Sequence, residues 1–159
     1  MENPTSKIPL LAAIGHVCLQ WSLLEMTILG VLSQLQLVPH DEAAILFGEL
    51  DILPRFNRAI ALAEHHKTPA LVKSKLRETR SALQGRTGLM ARRNQAVHGA
   101  HADADSLDAV QLTMVRWSGD RRIQKVSLED LIALTEEIHS EQRRTYSVFE
   151  SIAKWQAGE

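Results

Sequence analysis

Between Pro9 and Leu37 the apolar residues Leu10, Ile14, Val17, Trp21, Leu24, Ile28, Val31 and Leu35 recur at alternating intervals of four and three. That alternation puts every one of them on one side of a helix for about seven turns. A stripe so long must be covered, and the natural cover is another long helix packed along it. The chain supplies a candidate at its other end. Ser127-Leu128-Glu129-Asp130 has the form of a helix-capping arrangement, with Asp in place of the usual Glu. Leu128, Leu131, Thr135, Ile138, Gln142, Thr145, Phe149 and Ile152 then share one stripe. The polar middle of that stripe suits a face that meets a partner or lines a cleft.

The segments between read as shorter helices. Pro39-His40-Asp41 ends the first helix and starts a second, with Asp41 as its N-cap, running from Ala43 to Leu50. Pro54 breaks or restarts the chain into a helix reaching about His66. Thr68-Pro69 opens a long basic helix that continues to His98. Gly85 and Gly88, three apart in that helix, mark either close approach to a neighbour or a kink with Thr87 restarting it; the first is the expected one. The run His101-Ala102-Asp103-Ala104-Asp105-Ser106 reads as a polar loop. Val110–Trp117 and Arg121–Val126, joined by Ser118-Gly119-Asp120, read as a β-hairpin. The expected fold is an all-α bundle of four to five helices over one domain, residues 1–159. Its two long helices should be antiparallel, and a small hairpin should precede the last helix. An aromatic content of only 4% against 45% hydrophobic residues agrees with a core of Leu, Ala and Ile.

Charge narrows function only locally. The net charge is −1, so no global basic field advertises nucleic acid. From Lys73 to Arg93, however, seven Lys or Arg face a single acid, Glu78. Such a helix either tracks phosphate or presents an ordinary solvated face. One cysteine, Cys18, excludes an internal disulfide framework and fits a reducing compartment. The apolar segment 8–18 lacks the basic flank and cleavage site of a signal peptide. No uninterrupted apolar run approaches the ~20 residues of a membrane span. A cytoplasmic protein without membrane attachment is the expectation.

The chemistry is concentrated in Arg92-Arg93-Asn94-Gln95-Ala96-Val97-His98-Gly99. Basic residues suit the last turn of any helix because they meet its negative dipole end, and that reading stands beside any functional one. Arg-x4-His alone is a weak pattern, but requiring Asn after the Arg lowers the chance expectation to about one in a hundred. Asn94 also continues the apolar row Val72, Leu76, Leu83, Met90 toward Val97, a place where a buried amide must find partners. On an ideal helix Asn94 and His98 lie about 40° apart, whereas Arg93 is about 140° from His98. Two copies of the helix meeting across a symmetric interface would bring Arg93 and His98 to one group more readily than one copy. Glu25 is the other anomaly. It interrupts the row Leu11, Cys18, Leu32 and wants a cationic or donor partner, for which Arg93 or Asn94 is the expected choice.

Arg93-Asn94-x3-His98 at the end of a helix in a small all-helical chain resembles the signature of HEPN domains, the higher-eukaryote-and-prokaryote nucleotide-binding family. The likeness extends to Trp21-Ser22-Leu23-Leu24-Glu25, to the helix order and to the hairpin before the last helix. It covers most of the chain loosely and the motif sharply. It implies a homodimer and metal-independent cleavage of an RNA substrate, in the manner of a toxin or defence effector restrained by a nucleotidyltransferase-type antitoxin. Many members of that family look catalytically silent. The alternative it implies is a non-catalytic helical homodimer that binds nucleotide, RNA or protein.

RNA cleavage without a metal needs proton transfer near neutrality and positive charge where the phosphorane forms, because the 2′-OH is an internal nucleophile. On the resemblance His98 would handle the proton, Arg93 the phosphate, and Asn94 would orient the group or bond the RNA. The products would be a 2′,3′-cyclic phosphate and a 5′-OH. A helix C-terminus favours protonated imidazole, which suits His98 as general acid or phosphate ligand. Glu25, Arg92 and His101 are the supporting candidates. His98, His101, Asp103 and Asp105 match no recognised metal spacing, so no metal and no cofactor are expected. Trp117 either stacks a base or caps the core from the hairpin. No phosphate loop, dinucleotide fingerprint or nucleophile elbow occurs.

Overall fold

A computed structural model describes residues 8–98, 100–102, 109–115 and 121–158. The side chains of Ile8, His98, residues 100–102 and 109–115, and residues 121–125 fall outside that description, as do Gly99, Trp117, the acidic run at 103–105 and the turn at 118–120. The chain is mostly helical. The described residues form α1 (Ile8–Gln36), α2 (His40–Phe47), α3 (Ile52–His65), α4 (Ala70–Leu83), α5 (Leu89–His98) and α6 (Leu128–Ala157). Between α5 and α6 lie β1 (Ala100–Ala102), β2 (Ala109–Val115) and β3 (Arg121–Ser127). They make one antiparallel sheet in the order β1-β2-β3, with His101 opposite Leu112 and Gln111 opposite Lys125. The expected hairpin is thus present as β2–β3, but the stretch read as a polar loop starts with a third strand.

The α1 stripe is buried as its spacing requires: Val17, Leu24, Ile28 and Val31 are fully covered, and Trp21 keeps 4% of its surface. Its chief cover is α6, through Leu131, Leu134, Ile138, Val148 and Ile152. The two long helices are parallel, not antiparallel as expected. Gln20 meets His139, Thr27 meets Gln142, Gly30 meets Phe149 and Gln34 meets Gln156, so position rises on both helices together. Hydrophobic spacing carries no direction, and the intervening elements form the crossover that a parallel pair needs. The polar middle of α6 is largely answered inside the chain. Gln142 donates to Thr27 Oγ1 at 3.2 Å, and the buried Glu141 carboxylate accepts from Arg144 at 3.0 Å.

By length and composition, α1 over Pro9–Gln36 could cross a membrane, although no unbroken apolar run does so. A third of its most apolar window is buried within the fold. Part of the rest is an exposed row of Leu19, Leu23 and Met26. On an ideal helix that row lies roughly opposite Trp21.

Among the described residues six helices replace the expected four or five, chiefly because the basic helix breaks. Gln84 is extended after α4, and Gly85 takes φ +96°, where a side chain is strained. Nothing lies within 4 Å of a Cβ added at Gly85. Its role is the backbone angle, not close approach to a neighbour. At Gly88 an added Cβ would fall 2.4 Å from the Gln84 carbonyl oxygen and 2.6 Å from that of Leu83. The approach there is to the chain's own backbone, so the kink reading replaces the expected one.

Helix ends follow local chemistry with one correction. Ser127 caps α6: its hydroxyl accepts from Asp130 N–H at 3.0 Å while its own N–H donates to the Asp130 carboxylate at 2.9 Å. Asp41 does not cap α2. Pro39 holds that position without a side-chain bond, and Asp41 sits in the first turn, where its charge still suits the dipole. The far end of α2 is closed by Arg55, which is buried and donates to the Phe47 and Gly48 carbonyls at 3.2 and 2.7 Å.

Candidate functional site

The break at Gln84–Gly88 decides where the motif residues point. A continuous helix would have carried the apolar row of α4 through Asn94. The helix instead restarts at Leu89, its phase is reset, and Leu89 and Ala96 are the buried positions of α5. Asn94 is exposed. The expectation that its amide occupies the core is overturned, and with it the argument that Asn94 serves packing.

Asn94 nevertheless touches its neighbour. Arg93 Nη1 donates to Asn94 Oδ1 at 3.0 Å. The same guanidinium stands over the Trp21 ring, its central carbon 5.6 Å from the centroid, within range of a cation–π contact. Trp21 is buried, so its indole N–H requires an acceptor, and Glu25 Oε1 supplies it at 3.0 Å one turn along α1. Glu25 therefore belongs to the same cluster as Arg93, linked to it through Trp21. Its recorded bond is to the edge of Trp21, and Trp21 presents its face to Arg93. Sequence reading took Trp21 as part of a resemblance and as a core residue, and missed this bridging place. The spacing of four between an aromatic N–H donor and the anomalous carboxylate was the available signal.

The two arginines of the motif do different things. Arg92 turns to α6, where Nη1 and Nη2 meet the two Glu137 carboxylate oxygens at 2.6 and 3.0 Å. It lies against a pocket shared with Gln95, Ala96, Val126, Asp130 and Leu131 at the start of α6. There the Ser127 backbone N–H and hydroxyl, aided by the positive charge of Arg92, hold the Asp130 carboxyl below its ordinary range. Arg92 thus braces α5 on α6 and does not join Arg93 over Trp21. His98 is the last residue of α5, and His101 lies in β1 three residues on. Among the described residues no group of three His, Cys, Asp or Glu could hold a metal ion.

The basic face of α4 is largely engaged by its neighbours. Arg77 pairs with Glu64, Arg80 bonds Asn57, and Lys75 donates to Ser147 Oγ at 2.9 Å. Of the two readings of this charged run, these contacts favour the ordinary solvated face over one that tracks phosphate. Compared with family models, curated proteins and solved structures, the chain matches none. What the arrangement can do chemically rests on its own geometry: an oriented guanidinium beside an exposed amide, on the helix that ends in His98.

Proposed function

We propose that the chain is a metal-independent endoribonuclease of HEPN type, working as a symmetric homodimer. Arg93 binds the scissile phosphate, His98 transfers a proton, and the exposed Asn94 contacts RNA or steers Arg93. The observation that carries this reading is the placement of Arg93: one motif arginine is spent on a brace to α6, while the other is held over Trp21 beside Asn94. A guanidinium offers charge and a planar set of donors to a phosphorane, and imidazole transfers protons near neutrality. A cytoplasmic toxin or defence effector, restrained by a nucleotidyltransferase-type antitoxin, is the setting this chemistry fits. The test is incubation of purified protein with structured and unstructured RNA in EDTA, beside His98→Ala. Cleavage to 2′,3′-cyclic ends by wild type alone supports the reading, and absence of cleavage on every RNA overturns it.

A second reading has its own support. The exposed row Leu19, Leu23 and Met26 lies on the side of α1 away from Trp21. A dimer made through that row would keep the two motifs apart, as in a non-catalytic HEPN-like module that binds nucleotide, RNA or protein. The face used by the dimer separates the two readings.

A further inference from the structure

We infer that Trp21 and Glu25 form a positioning pair for Arg93, fixing the direction in which its guanidinium is offered to a phosphate. This rests on the proposed role of Arg93 at the site, but the geometry behind it is independent of cleavage. A long arginine side chain has several rotatable bonds and loses much of its freedom when it binds. Here the Trp21 face at 5.6 Å and Asn94 Oδ1 at 3.0 Å restrict it beforehand. Asn94 is exposed and can yield its place to a phosphate oxygen. Trp21 is buried and cannot leave. The ring is therefore the fixed wall and the amide the exchangeable ligand.

Glu25 acts through the ring. Its carboxylate accepts the indole N–H at 3.0 Å, which fixes the orientation of the ring plane. A negative charge at the N–H edge also feeds electron density into the π system and strengthens its attraction for a cation. This accounts for a carboxylate interrupting an apolar row of α1: through the indole N–H it serves the arginine on the other side of the ring. Neither Trp21 nor Glu25 is assigned contact with substrate.

The test reads Arg93 directly. In the full-length protein with Trp117→Phe and Trp155→Phe, Trp21 is the sole indole. The Arg93 Nε–H resonance should show an aromatic ring-current displacement that disappears in Trp21→Leu and is partly retained in Trp21→Phe, which keeps a ring face and tolerates burial. Glu25→Gln keeps an acceptor without the charge and should reduce the displacement less than Glu25→Ala. Inorganic phosphate, or RNA in EDTA, should change Trp21 emission in this background and leave it unchanged when Arg93→Ala is added. Affinity for RNA should fall about 5- to 30-fold in Trp21→Leu and recover partly in Trp21→Phe. An Arg93 resonance that ignores Trp21→Phe and both Glu25 substitutions, in variants that melt as wild type does, overturns the inference. A protein that cuts no RNA yet shows the resonance and emission changes overturns the ribonuclease reading and leaves this one standing.

Discussion

Arg92 and Glu137 face each other across α5 and α6 with two hydrogen bonds, Nη1 to Oε2 at 2.6 Å and Nη2 to Oε1 at 3.0 Å. The pair ties the motif helix to the longest helix of the bundle, yet about a third of the Arg92 side chain and half of Glu137 remain exposed. Exposed pairs contribute little, so Arg92→Ala should lower global stability by no more than about 1 kcal/mol. The larger effect should be local. Amide exchange across Leu89–His98 should accelerate while that of α1 and α6 is unchanged. Uniform acceleration would show that α5 is not separately braced.

Substitutions in the motif should separate chemistry from folding. Arg93→Ala and His98→Ala should each reduce EDTA-resistant RNA cleavage by about two orders of magnitude or more. Asn94→Ala should reduce it less, and should change stability by less than about 0.5 kcal/mol, since the amide is exposed. A melting curve and an RNA assay on the same preparation decide both points. A large stability loss in Asn94→Ala would return the residue to the core.

The two glycines between α4 and α5 should respond differently. Gly85→Ala meets open space but a φ of +96°, and should cost about 1–2 kcal/mol. Gly88→Ala drives a Cβ onto two carbonyl oxygens and should cost toward the upper end of about 1–3 kcal/mol. Denaturant titration of the pair gives the order, and equal small losses would contradict the break as described.

Acid should weaken the start of α6. The Asp130 carboxyl is held below its ordinary value of 3.8, foremost by the Ser127 backbone N–H. A depressed folded-state value means the carboxylate stabilises the fold above the unfolded value and loses that contribution as pH falls through the folded one. The melting-temperature gap between wild type and Asp130→Asn should therefore be flat above about pH 5 and shrink below 3.8. Ser127→Ala should cost about 1 kcal/mol at neutral pH.

Light scattering on wild type and Leu23→Lys tests the proposed homodimer and the face it uses. If the motif ends meet in the dimer, the mass is unchanged, because Leu23 lies on the far side of α1. If the outer row is the interface, a buried charge should dissociate the dimer at micromolar concentration.

The α1 stripe and the α6 cap were legible because each is a local pattern: spacing for the first, two reciprocal bonds within four residues for the second. The relative direction of α1 and α6 was not, since apolar periodicity is the same read either way. Asn94 was misplaced for a physical reason. An extended Gln84 followed by a positive φ at Gly85 cannot be seen in a row of apolar positions, and together they rotate everything after them. Glu25 was recognised as out of place, but its partner was sought in Arg93 or Asn94 of the motif, although an indole one turn away on the same helix needed the acceptor. Arg55 escaped notice because its partners are carbonyls, which leave no mark in a sequence.

The interruption at Gly85–Gly88 also divides the chain's cooperativity. A ten-residue helix does not persist in water by itself, and Gly85 denies α5 the propagation it would have inherited from α4. The order of the motif is therefore on loan from its contacts with α1 and α6 and can be withdrawn separately from the bundle. A molecule that captured α5 in its unwound form would scatter Arg93, Asn94 and His98 together while α1, α4 and α6 stayed folded.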